Sequence, residues 1–283
     1  MKKLSIVLLI LILSLSFVVG CQQEDANTDD QGTGDETTPL TGEVKGGGST
    51  SVQPILEAAR DEFMAQNPDV TVEYNGTGSS DGVTGANDGV YMFGCASREQ
   101  KDEEKEWGLT EQVFANDGIA VIVHPNNEVS DISMEDIAKV FKGEITNWKD
   151  LGGADAPIVV VSREDGSGTR GAFEEIVGFE DELTSEANVQ EGNGAVQTTV
   201  AGNENAIGYV SFTYIDDTIK DLTVEGAEAT PENVTAGTYP VSRPFIMIYH
   251  EENLNESAQA FIDFIMSDEG QAIVEEEGAI PIN

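Results

Sequence analysis

Basic residues are scarce in this chain. Five Arg and nine Lys stand against 53 Asp and Glu in 283 residues, a formal charge of −39. A surface that binds nucleic acid has to neutralise phosphates with surplus Lys and Arg, so no nucleic-acid partner is expected. Histidine and cysteine are rarer still, two of each and far apart, which rules out a disulfide framework and leaves little material for a zinc cage. Aromatic residues make up only 7%. Regular apolar segments nevertheless recur from Val52 onward, enough to bury a sizeable core, so disorder throughout is excluded. The length fits one or two globular domains. Any chemistry has to come from Gly, Ser, Thr, Arg and Asp.

The one long apolar run lies at the start. Met1-Lys2-Lys3, an almost unbroken apolar stretch from Leu4 to Val19, and Gly20-Cys21 form a charged region, a hydrophobic region and a small residue at a cleavage point. Residues 1–20 therefore read as an export signal. Phe17-Val18-Val19-Gly20-Cys21 resembles the lipobox of bacterial lipoproteins, in which the Cys is diacylated and becomes the mature N-terminus. The alternatives are a secretory signal with an incidental Cys and a transmembrane anchor, which the short span disfavours. Lipid on Cys21 leaves Cys95 as the one thiol, whose plainest reading is a small buried side chain. Residues 21–43 follow as a tether: from Gln22 to Glu43 there are seven acidic residues and no basic one. Such a segment is solvated and self-repelling, with a root-mean-square span of about 25 Å.

Beyond the tether the pattern becomes α/β. Val44-Lys45 reads as a short strand that turns through Gly46-Gly47-Gly48. Val52, Ile55, Leu56, Ala59, Phe63 and Met64 then keep a helical period, with Pro54 in the permissive first turn and Asn67-Pro68 as the stop. Val70 to Tyr74 alternates as a strand and leads into a second turn, Gly76-Thr77-Gly78-Ser79-Ser80. The rhythm recurs with a strand at 119–123, an amphipathic helix at 134–142, a strand at 158–161, a third turn at 165–169 and a helix through Phe173 and Ile176. A strand at 245–249 and helices at 258–266 and 270–275 complete it. Alternation of this kind predicts α/β layers around mostly parallel sheets.

Three times a Gly/Ser/Thr turn opens a helix: GGGSTS at 46–51, GTGSS at 76–80 and REDGSGTR at 163–170. A helix start offers unpaired N–H groups and the positive end of the macrodipole, and hydroxyls add further donors, so each turn can hold part of an anion. Any one of them alone is more simply an N-capped loop. In the third, two of the five Arg, Arg163 and Arg170, bracket the glycine core. An Arg fork grips a tetrahedral oxyanion bidentately, and Asp165 can pair with Arg163 and orient it. Arg170 reads as a helix-surface residue. The segment is no Walker A loop, because the Gly-Lys-Ser/Thr ending is missing.

GGGSTSVQP at 46–54, GTGSSDG at 76–82, FGCASRE at 93–99, GEITNWKDLGG at 143–153, VVVSREDGSGTRGAFEE at 159–175 and AIGYVSF at 206–212 together resemble the phosphate-binding lipoproteins of bacterial phosphate ABC importers, the PstS type. The resemblance covers 44–283. It implies a type II periplasmic-binding-protein fold: two α/β domains, 44–118 plus 246–283 and 119–245, joined by crossovers near Gly118 and Phe245. Carried over by position, it implies that Thr50, Ser51, Ser79, Ser97, Arg163, Ser167, Gly168 and Thr169 bind phosphate, supported by Ser80 and by Asp165 bracing Arg163. Ser97 stands where relatives can have a phosphate-accepting carboxylate, and Asp81 is a possible substitute acceptor. The implied partners are inorganic phosphate, a permease and ATPase complex, and the membrane through Cys21, with the protein a monomer and no metal or organic cofactor required. Other oxyanions such as sulfate or molybdate remain open as ligands. A serine hydrolase or phosphatase would need a base beside Ser79 or Ser167, and only His124 and His250 exist. A binding module without a small ligand is the remaining alternative.

The lipobox generates a direct test. Cys21→Ser is expected to block maturation or release the protein from the membrane fraction, because stable anchoring takes two acyl chains. Retention of the mutant after a salt wash would exclude lipidation as the anchor.

Overall fold

A computed structural model describes residues 39–282. The lipobox Cys21 and the tether up to residue 38 lie outside the described residues. The chain runs β1 (Gly42–Gly48), α1 (Gln53–Gln66), β2 (Val70–Gly76), α2 (Ser79–Asn87), β3 (Phe93–Ala96), α3 (Asp102–Lys105) and β4 (Thr110–Val123). It continues through β5 (Asp131–Ile132), α4 (Met134–Lys142), β6 (Val159–Arg163), α5 (Gly168–Val177), β7 (Asn188–Gln190), α6 (Asn193–Ala201), β8 (Ala206–Ser211), β9 (Lys220–Asp221), β10 (Thr223–Val224) and α7 (Pro231–Thr235). Then come β11 (Ser242–Tyr249), α8 (Glu256–Met266), α9 (Asp268–Glu276) and β12 (Ile280–Pro281). No helix among the described residues is long and apolar enough to cross a membrane.

The helices form where local chemistry closes their ends. In α1, Pro54 occupies the first turn, where its missing N–H is no loss, and Ile55, Leu56, Ala59 and Phe63 make the buried face. Burying each large apolar side chain contributes about 1.5–3 kcal/mol. At α4 the Ser133 hydroxyl accepts from the Asp136 N–H at 3.1 Å, and Gly143 ends the helix in the left-handed conformation. In α5, Phe173 points inward and stacks on Tyr209 with ring centroids 4.1 Å apart.

The sheet order is β2-β1-β3-β11-β4-β8-β6-β7. Strands β1, β2 and β3 pair in parallel, as do β6, β7 and β8, but β11 and β4 pair antiparallel with each other and with the strands on their outer sides. The expected mostly parallel arrangement is thus corrected to a mixed sheet. The reason lies in β4, a single strand that pairs with β11 along 110–118 and with β8 along 119–123. Two further boundaries move. The glycines at 46–48 are strand residues paired to both neighbours, since a strand without side chains lets Phe93 and Tyr91 lie across it. Strand β1 also begins at Gly42, inside the expected tether, because Gly42 to Lys45 pair with β2.

The apolar interior falls into two main clusters. One gathers Val44 to Ala115 with Phe245 to Ala279, around Phe63, Phe93, Phe114 and Phe261. The other gathers Ile119 to Val241, around Phe141, Trp148, Phe173 and Tyr209. Both changes from one cluster to the other occur on β4 and beside the start of β11. Within that gap Asp117 faces Arg243 in register.

Gly48 closes β1 at a φ of +128°, and a Cβ there would lie 2.3 Å from the Cys95 carbonyl oxygen and 2.8 Å from Gly82 Cα. Both obstacles are backbone. Gly48→Ala is therefore expected to cost about 2–4 kcal/mol of stability. Urea unfolding at neutral pH measures it, and a loss below about 0.5 kcal/mol, the scale of an ordinary surface change, would show that the turn relaxes freely.

Candidate functional site

The three glycine turns meet. The Thr77 and Gly78 N–H groups both donate to the Gly48 carbonyl at 2.8 Å, joining the first turn to the second. The Ser80 N–H donates to the Gly166 carbonyl at 3.1 Å, joining the second to the third. Ser51 Oγ lies 2.9 Å from Thr169 Oγ1, joining the first to the third. Ser51, Ser79, Ser97, Arg163 and Thr169 are each no more than 1% exposed.

Each predicted side chain has a distinct place. Ser79 and Ser97 form a pair, with hydroxyl oxygens 3.2 Å apart and the Ser97 N–H donating to Ser79 Oγ at 3.1 Å. Gly168 opens α5 directly against them. A Cβ at 168 would stand 2.2 Å from Ser79 Oγ and 2.9 Å from Ser97 Oγ, so only glycine brings this helix start to the two hydroxyls. Ser167 caps α5 by accepting from the Arg170 N–H at 3.2 Å, which occupies its hydroxyl with the helix. Ser80 sits slightly apart, its hydroxyl accepting from Arg98 at 3.4 Å. Thr50 Oγ1 accepts from Arg163 Nη2 at 3.2 Å.

The brace of Arg163 is Glu164, which corrects the expectation of Asp165. Glu164 takes Arg163 Nε at 2.8 Å and Nη2 at 2.7 Å in a bidentate pair. Asp165 points outward, exposed, and pairs with Arg170 at 2.7 Å. Glu164 is held beside Arg163 by a further contact, its Oε2 accepting from the Gly192 N–H at 3.2 Å, whereas Asp165 Oδ1 is taken by Arg170. Arg170 is no free surface cation, since it also holds Glu174 at 2.7 Å. Burial raises the Glu164 carboxyl, but the hydrogen bonds and charge of Arg163 outweigh it and hold the group below the usual carboxylate range. Asp81 is exposed and lines a cavity of about 500 Å³ with Thr50, Gly76, Thr77, Glu164, Glu191 and Gly192, away from the Ser79–Ser97 pair.

The structure adds three residues that sequence reasoning missed. Asn193 opens α6 after Gly192, at a φ of +82°, in a fourth turn of the same kind, Glu191-Gly192-Asn193-Gly194. Its signal was present, a glycine before a helix. Asp117 and Arg243 form a fully buried ion pair, Arg243 Nε and Nη2 reaching Asp117 Oδ2 at 3.1 and 2.8 Å. Asp117 Oδ1 also accepts from Ser211 Oγ at 2.9 Å and the Phe212 N–H at 3.2 Å. Burial pushes the Asp117 carboxyl up, and Arg243 with these two donors pulls it back in part. The signal here was a charge inside each of two apolar strands.

Three buried side-chain polar atoms among the described residues have no hydrogen-bond partner: Gln100 Oε1, Arg163 Nη1 and Arg243 Nη1. Two of the three are guanidinium nitrogens at this convergence. Buried donors are normally paired, so two unpaired ones beside hydroxyls and helix starts mark a place that offers donors to an acceptor. No group of three or more His, Cys, Asp and Glu among the described residues could hold a metal ion.

Two apolar clusters bridged by strand β4 and by the chain that enters β11, together with this donor-rich convergence, define a two-domain solute-binding protein. The chain belongs to the PBP superfamily, whose domain matches residues 33–269, and within it to the PstS family of phosphate-binding proteins. It is 31% identical to the phosphate-binding protein PstS of Borreliella burgdorferi over 293 residues, covering 100% of this chain and 99% of that one. With PstS of Bacillus subtilis (strain 168) it shares 30% over 290 residues, 100% of this chain and 95% of that one. Among solved structures, a putative phosphate ABC transporter substrate-binding protein from Clostridium perfringens with bound phosphate is similar with a TM-score of 0.84 and 54% identity, covering 86% of this chain and 100% of that chain. An ABC-type phosphate transport receptor from Vibrio cholerae is similar with a TM-score of 0.71 and 32% identity, covering 85% and 100%. These similarities establish the two-domain α/β fold that the sequence motifs imply.

The brace yields a prediction with a pH arm. Glu164→Gln removes the charge partner of a buried Arg and is expected to weaken anion binding about tenfold or more, whereas Asp165→Asn leaves it within about twofold. A carboxyl held low when folded contributes stability above its ordinary value near pH 4.3, and that contribution fades as pH falls through the lower folded value. Wild type is therefore expected to lose stability below about pH 4 more steeply than Glu164→Gln. Calorimetry and acid unfolding test both arms, and equal effects of the two substitutions would return the brace to Asp165.

Proposed function

We propose that this protein is an extracytoplasmic solute-binding lipoprotein that captures inorganic phosphate between two lobes and delivers it to an ABC importer. The observation that carries the reading is the pair of buried, unpartnered nitrogens, Arg163 Nη1 and Arg243 Nη1. A tetrahedral oxyanion supplies the acceptors that such donors require. The reading places Thr50, Ser51, Ser79, Ser97, Arg163, Ser167, Gly168 and Thr169 around the anion, with Glu164 as the brace. The lobes are taken as 44–118 plus 246–283 and 119–245, in keeping with the two apolar clusters. Lipid on Cys21 would hold the protein at the membrane, beside a permease and its ATPase.

The state of the serines supports binding rather than turnover. Ser167 Oγ caps a helix, and Ser79 and Ser97 pair with each other. A nucleophilic serine needs a positioned base. His124 directly follows β4 and is seven residues from Asp117, about 23 Å along an extended strand, and its Nδ1 accepts from the Asn126 N–H. His250 lies beyond the other end of the β4–β11 ladder, after Tyr249.

Titration of the anion-stripped protein with phosphate, arsenate and sulfate tests the reading. Arg163→Ala is expected to lose on the order of 2–5 kcal/mol, roughly 30- to several-thousand-fold in affinity, while Arg170→Ala loses far less. Because Ser97 is a hydroxyl that can donate as well as accept, excess sulfate is expected to compete measurably, and Ser97→Asp to suppress that competition. No phosphate binding by the wild type sinks the function, and equal small losses for both Arg variants remove Arg163 from the site.

A further inference from the structure

The convergence is sealed. Ser51, Ser79, Ser97, Arg163 and Thr169 are each no more than 1% exposed. The bond from the Ser80 N–H to the Gly166 carbonyl and the Ser51–Thr169 contact both run between the proposed lobes, 44–118 and 119–245. An anion therefore reaches the buried donors only when such contacts part. Two cavities lined from both lobes flank the convergence, and these are its approaches.

They differ in charge. The cavity of about 500 Å³ already described reaches the convergence at Thr50, and its charged lining is Asp81, Glu164 and Glu191, with no Lys or Arg. The other holds about 220 Å³ and reaches the convergence at Ser80 and Ser167. Arg98 and Lys101 line it from one lobe and Arg170 from the other, against Asp165, Glu174 and Asp181. Most of that charge is internally committed. Arg170 holds Asp165 and Glu174 at 2.7 Å each, and Arg98 holds both oxygens of Glu104 at 2.7 Å.

Lys101 is the exception. It stands exposed just before α3, and among the described residues its ammonium has no ion pair and no hydrogen bond. Every other Lys and Arg there pairs with a carboxylate, save Lys220, which donates to the Asn127 carbonyl at 2.8 Å. Acids outnumber Lys and Arg by 53 to 14, so pairing is the ordinary fate of a cation in this chain. Lys101 also lines an adjoining cavity of about 430 Å³ with Glu99, Glu175 and Glu180. One free positive charge thus joins that acidic cavity to the one that reaches Ser80 and Ser167.

Such an acidic surface repels a phosphate dianion, while a cleft focuses the local field of the charges that line it. We propose that Lys101 is the capture residue of the anion site: it draws phosphate into the cavity between Ser80 and Arg170, from which the anion passes to the convergence while the lobes are apart. The proposal rests on the phosphate reading and deepens it. Lys101 is not one of the groups that enclose the convergence, so its charge acts on the path. Loss of that charge slows arrival and departure together and moves the equilibrium less than either rate.

The test is rapid mixing of the anion-stripped full-length protein with radiolabelled inorganic phosphate, chased with unlabelled phosphate and read as retained label, with calorimetric affinities alongside. At an ionic strength of about 0.02 M, Lys101→Gln is expected to bind about threefold and Lys101→Glu about tenfold more slowly than wild type, with affinity changed by less than about threefold. At about 0.5 M the three proteins are expected to converge, because salt screens the attraction. Neither substitution removes a native side-chain contact. Glu191→Lys shifts the charge of the other cavity by two units in the opposite sense, and its association rate is expected to stay within about twofold of wild type. An acceleration by Glu191→Lys as large as the slowing by Lys101→Glu would reduce the effect to overall charge and overturn the assignment. An unchanged association rate in Lys101→Glu, or a loss of affinity as large as the loss of rate, overturns it as well. Absence of phosphate binding by wild type at either salt concentration is the separate outcome that defeats the functional reading, and this assignment with it.

Discussion

Arg163 and Arg243 are buried, and taking a guanidinium out of water costs several kcal/mol unless a carboxylate and further acceptors replace the solvent. Each has one carboxylate, Glu164 for the first and Asp117 for the second. Neither carboxylate satisfies the whole fork, so hydroxyls of the first turn take Nη2 from both sides and Nη1 is left over in each. The rest of the convergence is arranged around those two cations. Thr50 and Ser51 sit where both can be reached, Asn193 completes the hydroxyls, and the glycines at 48, 78 and 168 let three backbones come close enough to enclose the group.

Pairing each Arg with its own acid has an electrostatic consequence. The two cations and two anions cancel, so an oxyanion is drawn to this place by directed donors rather than by surplus positive charge. That fits a chain whose formal charge is −39, in which cations are few and most are already committed to acids. It also makes hydroxyl orientation decisive, because a donor rotated into an acceptor is a repulsion at short range.

Much of this was legible in the chain because it is local. The apolar period of 52–64, the stop at Asn67-Pro68 and the second and third glycine-hydroxyl turns depend on neighbours in sequence, and each appears where the pattern places it. The convergence of Ser51, Ser79, Ser97, Arg163 and Thr169 was likewise reachable from motifs. What escaped is what depends on distance. Asp117 and Arg243 are 126 residues apart, and only the β4–β11 register puts them together. Asn193 meets Ser51 across 142 residues. The choice between Glu164 and Asp165 failed for a subtler reason. Both acids lie within two residues of the Arg, and the choice is made by groups distant or later in sequence, the Gly192 N–H that holds Glu164 and the Arg170 that takes Asp165. The parallel sheet was misjudged because a strand's share in two neighbourhoods is invisible in its own alternation.

Strand β3 pairs with β1 in parallel and with β11 antiparallel, so residues 93–96 lie between partners at 46–48 and 246–248. The apolar cluster that starts at Val44 cannot close until Phe245 and Phe261 arrive, after all of 119–241 has been made. Contacts of such sequence separation slow folding, because loop closure is costly before pairing rewards it. During synthesis the intervening cluster can assemble from contiguous chain, whereas β3 waits with one edge unpaired, a state prone to association. The first-made part of the molecule is thus the last to become stable, and its kinetic exposure is set by the time taken to reach residue 248.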